Sequence, residues 1–302
     1  MATRFDVVGV GANSIDLVYR LPAYPQPHGP DAKQRIRQHW VSPGGQMATA
    51  LATCRSFGLS TCYAGLIGAD DHGRRMRAEL EARGIDIDAS VIDGGTNQYA
   101  VILLDQRSGE RIVLWDREDR SPENPMPLPI AAIATARWLH VDDVDQDAAI
   151  RAARMAREAG VPVTSDIDRL GDGTEELITA VSIPILAEHV LPAVTGETDA
   201  ERGLRKLRAR HAGTLVVTLG SRGAMMLDGD QVFHEPAFTV NTVDTTGSGD
   251  VFRGGFIYAR LAGYPSSEQL RFANAAAAVS CTRAGAMNGV PTMAEVERLL
   301  RA

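Results

Sequence analysis

The chain has 302 residues, 44% apolar and 23% charged, with a net charge of −7. That composition supports a substantial core and suits one large α/β domain or two smaller ones. The acidic balance and the lack of any long basic run give no support to nucleic-acid binding. No apolar stretch approaches the length of a membrane span.

The first apolar run, Asp6–Gly11, predicts a strand leading into Gly9-Val-Gly11-Ala-Asn13-Ser14-Ile-Asp16. A dinucleotide-binding turn needs glycine where Ser14 stands and a helix beyond it. The residues after Ser14 are strand-like and proline-rich instead, which argues against an oxidoreductase. Asp16 reads as a carboxylate for sugar hydroxyls or as a plain turn aspartate. Residues 14–43 carry Pro22, Pro25, Pro27, Pro30 and Pro43 around alternating pieces, Leu17–Leu21 and Gln34–Val41. Residues 96–117 alternate again through Tyr99, Val101 and Leu103, then Ile112, Leu114 and Trp115. Both regions predict antiparallel strands outside the main sheet.

Between and beyond them, short apolar runs alternate with amphipathic segments, the mark of a helix-covered and largely parallel sheet. Further strands are expected at Thr61–Ile67, Ala136–Val141, Pro162–Asp166, Ile183–Ala187, Thr214–Thr218 and Ala224–Leu227. Helices are expected at Gln46–Phe57, His72–Arg83, Gln146–Ala159 and Asp199–His211, with Gly58, Gly84 and Gly160 as C-terminal caps. The pair Gly44-Gly45 opens the first helix and permits close approach of backbone to a ligand. Trp138-Leu-His-Val-Asp142-Asp143 ends a strand with two carboxylates, either ligand groups or an N-cap for the helix from Gln146. Val217-Thr218-Leu219-Gly220-Ser221-Arg222-Gly223 is a strand with a glycine-bearing turn. Ser266 and Gln269 suggest a capping box for a long helix running to about Arg283.

Asn241-Thr-Val-Asp244-Thr-Thr-Gly247-Ser248-Gly249-Asp250-Val-Phe-Arg-Gly-Gly-Phe256 is the most informative segment. A β-branched run (Thr239, Val240, Thr242, Val243) ends in a small-residue turn. Phe252, Phe256 and Ala259 then recur at helical spacing as far as Gly263-Tyr-Pro265. Strand, glycine turn and helix make an anion site from unpaired first-turn amides, and Asp250 at its mouth is placed to accept a proton. The P-loop pattern is excluded, because neither lysine in the chain, Lys33 or Lys206, follows a glycine. Cys54, Cys62 and Cys281 lack paired spacing, so neither a disulfide framework nor a zinc site is expected.

Asp244-Thr-Thr-Gly-Ser-Gly-Asp250 resembles the C-terminal signature of the ribokinase-like (PfkB) carbohydrate kinases, and the resemblance extends along the whole chain. It implies an α/β ribokinase-like fold, a largely parallel sheet flanked by helices, with a small antiparallel β lid drawn from residues 14–43 and 96–117. Residues 1–302 then form a single kinase domain. The lid would cover the sugar and build a homodimer contact. By the same resemblance Asp250 is the catalytic base, and Gly247, Ser248 and Gly249 hold the transferred phosphate. Asp16, Gly44, Gly45, Thr49 and Asp142 face the substrate. Thr218, Gly220, Gly223, Gly247, Gly249 and Asn274 face the nucleotide. Asp244 and the Thr282–Gly289 loop correspond to a monovalent-cation site.

Three departures from the family's pattern bear on the substrate. Thr49 replaces the usual asparagine, Gln46 replaces the lysine of ribokinases, and Ala187 and Val190 occupy the key positions of an Asn-x-x-Glu motif. Ketohexokinases lack that motif too, and Trp138–Asp142 resembles their Trp-Ile-His-Ile-Glu segment. The expected activity is γ-phosphate transfer from ATP with Mg²⁺, and K⁺ as a further ion, to a primary hydroxyl of a ketohexose or pentose. A nucleoside kinase, with Trp40, Tyr99 and Trp115 as stacking groups, and a non-catalytic sugar- or nucleotide-binding regulator are the alternatives. A sugar phosphate would need a cation from Arg35, Arg37, Arg111 or Arg117. A cytoplasmic location follows from a start without a signal-peptide core.

Overall fold

A computed structural model of the protein describes residues 5–88, 90–107, 111–118 and 124–302. Residues 1–4, at the start of the chain, and residues 108–110, within the second lid segment, lie outside the described residues. In chain order the elements begin with β1 (Val7–Val10), β2 (Ser14–Leu21), β3 (Gln38–Gly44), α1 (Gln46–Ser56), β4 (Thr61–Ala64) and β5 (Leu66–Gly68). Then come α2 (Asp71–Ala82), β6 (Val91–Asp93), β7 (Tyr99–Asp105), β8 (Arg111–Asp116), α3 (Ile130–Thr135), β9 (Trp138–Asp142) and α4 (Gln146–Glu158). Next are β10 (Val163–Ile167), α5 (Thr174–Ala180), β11 (Ile183–Ala187), α6 (Leu191–Thr195) and α7 (Ala200–Arg208). The last part holds β12 (Leu215–Thr218), β13 (Ala224–Asp228), β14 (Gln231–Glu235), α8 (Ser248–Leu261), α9 (Ser266–Ser280), α10 (Ala286–Gly289) and α11 (Met293–Arg301).

The main sheet has eight strands in the order β14-β13-β12-β11-β10-β9-β1-β4. Pairing is parallel from β12 to β4 and antiparallel from β12 to β14. Strand alternation sends Val8, Val10, Leu139, Val141, Val163 and Ile167 into one core, with Ala148 and Ala152 of α4 and Leu204 of α7. Val7, Trp138, Ile183, Ile185 and Val216 enter the other, with Met47 and Leu51 of α1 and Val251 and Phe256 of α8. Helices thus cover both faces, as buried parallel strands require.

The two proline-rich and alternating regions form a separate four-stranded sheet, β3-β2-β7-β8, the lid. Its outer pairs, β2–β3 and β7–β8, are antiparallel, while the inner β2–β7 pair is parallel. Gly58, Gly84 and Gly160 have φ of 90°, 73° and 76°, the left-handed geometry expected of helix caps.

Several local expectations need correction. The expected strand Thr61–Ile67 divides at Gly65: β4 joins the main sheet, and β5 pairs with β6 in a sheet of two. Thr239–Val243 is not a strand. Its end is tied down by Val243 and Asp244 amides donating to the Cys281 carbonyl at 2.8 and 3.2 Å. The capping box at Ser266 and Gln269 does not form, because Ser266 Oγ donates to Asp228 and Gln269 Nε2 to the Tyr264 carbonyl. A capping box does form between Thr292 and Glu295, at the start of α11.

Candidate active site

Helix α8 begins at Gly247, whose φ of 77° is left-handed and which provides no side-chain cap. Two further glycines set where this helix lies. A Cβ on Gly254 would stand 2.6 Å from Thr53 of α1, and one on Gly255 would stand 3.2 Å from Ala273 and Ala276 of α9. Glycine at both positions lets α8 pack closely between its neighbours and fixes its N-terminus at the strand ends. In the first turn Ser248 N–H donates to the Thr245 carbonyl at 3.2 Å. The next amides, of Gly249 and Asp250, are the open donors that a helix N-terminus presents to an anion.

Asp250 is only partly buried at this mouth. Desolvation is the main cause that pushes its carboxyl up to about 7; Asp168 and Asp142 add to the rise, while Arg253 and a hydrogen bond with Asp166 oppose it. A carboxylate titrating near neutrality is matched to accepting a proton and releasing it again.

Asp142 is not open to a ligand. It is 1% exposed, and its oxygens accept the amides of Ala12 at 2.7 Å and Val144 at 3.1 Å. It therefore clamps the end of β1 to the end of β9, and burial raises it to about 7. Asp143 clamps the next strand end, its Oδ2 accepting the amides of Asp168 and Arg169 at 2.6 Å each.

Asp16, on lid strand β2, is buried, with Ser14 Oγ donating to it at 2.9 Å, and burial raises it to about 6. A Cβ on Gly44 would stand 2.8 Å from Asp16 Oδ2 and 3.5 Å from Ala286, and one on Gly247 would stand 2.6 Å from the same Ala286. Asp16, Gly44 and the glycine turn therefore converge on one spot. Gly45, with φ 94°, leaves no room for a side chain against the Asn13 backbone, 2.5 Å away. Thr49 is buried, and its hydroxyl has no partner. The Asp244 oxygens accept the amides of Thr246 and Gly285 at 2.9 Å each, which ties the loop before α8 to the turn before α10.

The remaining expected residues lie elsewhere. Thr218 ends β12, and Gly220 and Gly223 have φ of 58° and 90°. A Cβ on Gly223 would strike the Glu235 carbonyl at 2.0 Å. Asn274 is a buried amide rather than a surface one, donating to the Glu235 and Pro236 carbonyls at 2.8 and 3.2 Å. Gly223 and Asn274 thus both meet Glu235, while Thr218 and Gly220 lie at the end of β12 and in the turn after it.

A cavity of about 830 Å³ lies between the strand ends and the lid, lined among others by Asn13, Asn97, Trp115, Arg117, Asp143 and Arg169. A smaller one, about 120 Å³, is lined by Asp16, Ser42, Arg111, Asp244 and Thr245. Asp250 lines neither, so the chemistry is located by the glycine turn and its carboxylate rather than by volume. Sequence reasoning missed the buried pair Asp166–Arg253, 2.6 Å apart beside Asp250. It also missed the Asn13–Asn97 link at 2.9 Å that joins the end of β1 to the lid. Among the described residues no cluster of three or more His, Cys, Asp or Glu is placed to hold a metal ion, and no helix is long and apolar enough to cross a membrane.

Known proteins match this arrangement. The chain is 29% identical over 297 residues to the ATP-dependent ribose-1-phosphate kinase of Halopiger xanaduensis, covering 97% of each chain. It is 29% identical over 289 residues to fructokinase-1 of Zea mays, covering 86% of this chain and 88% of that one. The fold matches that of Arabidopsis thaliana ribokinase, solved with ribose and ATP, at a TM-score of 0.82 over 100% of both chains with 24% identity. A family model of pfkB family carbohydrate kinases matches residues 5–293. An eight-stranded sheet, a β lid and a glycine-turn helix N-terminus carrying Asp250 thus belong to a member of the pfkB carbohydrate kinase family.

Proposed function

We propose that the protein transfers the γ-phosphate of ATP, bound with Mg²⁺, to a primary hydroxyl of a sugar of ketohexose or pentose type. The observation that carries this reading is Asp250: a carboxyl raised to about 7 at the open first turn of α8, where acceptor and phosphate must meet. In this scheme Asp250 Oδ takes the hydroxyl proton as the oxygen attacks. The amides of Gly249 and Asp250 steady the charge on the transferred group. Asp16 holds sugar hydroxyls from the lid side. Lacking a P-loop lysine, the site relies on positioning, water exclusion and this anion hole.

A phosphorylated pentose is the second reading. Arg111 Nη1 of the lid donates to Thr245 Oγ1 at 3.0 Å, beside Asp16 and the glycine loop, and so supplies a cation where a sugar phosphate would need one. The relative named for ribose-1-phosphate supports including that substrate class. A homodimer through the lid also belongs to the proposal. It is supported by β8, where Ile112, Val113, Leu114 and Trp115 are 40–55% exposed.

The deciding experiment is an ADP-release screen with ATP and Mg²⁺ over ketohexoses, pentoses, pentose phosphates and nucleosides, repeated with Na⁺ replacing K⁺. Sugar-stimulated ADP release supports the kinase. Binding of sugar and nucleotide without any such release would make the chain a regulator instead.

A further inference from the structure

Arg253 lies one helical turn after Asp250 on α8, within a stretch where Val251, Phe252, Gly254, Gly255 and Phe256 are also buried. Its side chain is 4% exposed, and Nη2 lies 2.6 Å from Asp166 Oδ1, itself on a side chain 2% exposed. Burying a guanidinium for stability alone is a poor bargain, since desolvation of both charges offsets most of their attraction. Its position points to another role. A Cβ on Gly249 would stand 2.6 Å from Arg253 Nη1, so the guanidinium is folded back against the first turn of α8. Nη2 and Asp166 Oδ1 make no hydrogen bond of good geometry, so their contact is ionic.

Five carboxylates crowd this corner: Asp142 of β9 and Asp143 after it, Asp166 of β10 and Asp168 after it, and Asp250 of α8. Arg169 acts on Asp142 and Asp143. Arg253 is the cation acting on Asp166 and Asp250, pulling both down against burial and their acidic neighbours. His140, on β9, adds no positive charge, because burial and Arg253 keep it neutral.

We propose that Arg253, anchored on Asp166, is the positioning residue for Asp250: it holds that side chain at the glycine turn and supplies the positive charge that favours its proton-accepting form. This rests on the reading of Asp250 as the acceptor of the hydroxyl proton. Without the guanidinium, burial and the charges of Asp168 and Asp142 would act on Asp250 without the cation that opposes them, and it would keep its proton at neutral pH.

The test is the pH profile of kcat/KM for ADP release, from pH 5 to 9, with fructose or ribose, whichever the acceptor screen returns. Wild type is compared with R253K, R253M and the charge-balanced R253M/D166N. R253M is expected to move the acid limb up by about one pH unit or more, to lose about tenfold at pH 7, and to recover much of this above pH 8.5. R253K is expected to keep the limb near its wild-type position. The double variant leaves no lone buried carboxylate to unfold the chain, and its limb is expected to move as that of R253M does. A folded R253M or R253M/D166N whose acid limb coincides with wild type overturns the proposal, even if its kcat is lower. D250N, run alongside, separates the two readings. Retained turnover in D250N removes the base assignment itself, whereas a dead D250N with an unmoved limb in R253M removes only the role of Arg253.

Discussion

Gly11 shows how tightly the strand ends are set around the site. A Cβ there would stand 2.1 Å from Asp142 Oδ2, and that oxygen accepts the Ala12 amide at 2.7 Å. Gly11→Ala must therefore displace a buried carboxylate from its two amide donors. The expected cost is about 2 kcal/mol or more, read as a lower urea midpoint, together with weaker turnover. A G11A protein as stable as wild type would show that Asp142 is not the clamp described. At this scale the sequence was legible where the groups are contiguous: Gly247, Ser248, Gly249 and Asp250 are read off as a turn and its carboxylate. It was not legible where partners are distant. Asp166 reads only as a strand end and Arg253 only as a helix residue, because nothing in either segment says that 87 positions of chain fold back to join them. Asn274 falls between these cases: its position in the signature's following helix was readable, but not its burial against Glu235 and Pro236.

Among the elements, β8 makes the clearest prediction. It is the last strand of the lid sheet, and residues 111–116 are all exposed, including four consecutive apolar ones. An edge strand of that composition needs a partner or a charge to keep it from uncontrolled pairing. Sedimentation is expected to give two chains per particle for wild type and one for L114E/W115E. A monomeric wild type, or a variant that stays dimeric, would remove β8 as the contact. The lid strands were visible in the sequence as period-two alternation between prolines. Their order was not, since the parallel β2–β7 pair joins segments some eighty residues apart and local pattern cannot report it. Thr239–Val243 failed for the opposite reason. Its β-branched residues favour an extended backbone, but the amides at its end donate to the Cys281 carbonyl after α9 rather than to a neighbouring strand.

For the whole molecule, the buried acids set how stability changes with pH. Burial raises Asp16 to about 6 and Asp142 to about 7 in the folded protein, against about 3.9 when unfolded. The folded state thus binds extra protons, so their stabilisation is complete below about pH 4 and is lost as pH rises through about 6–7. His140 acts in the other direction, being lowered to about 3 against 6.5 when unfolded, but its effect is complete by about pH 6.5. Asp6 and Glu295, held below their ordinary values, contribute equally at pH 6 and pH 8. The thermal midpoint is therefore expected to be several degrees higher at pH 6 than at pH 8; a midpoint that rises across that interval would contradict the burial of these acids. The overall architecture was readable because alternating short apolar runs and amphipathic segments force a helix-covered parallel sheet. The antiparallel β13–β14 hairpin was only half seen, though Asp228-Gly229-Asp230 carried its turn signal.

The central claim is best tested by Asp250→Asn, which keeps the shape of the side chain and removes its basicity. With the acceptor identified by the screen, kcat is expected to fall about 10²–10⁴-fold while ATP binding and the thermal midpoint stay close to wild type. Turnover within tenfold of wild type in a folded D250N protein would contradict proton transfer to this carboxylate.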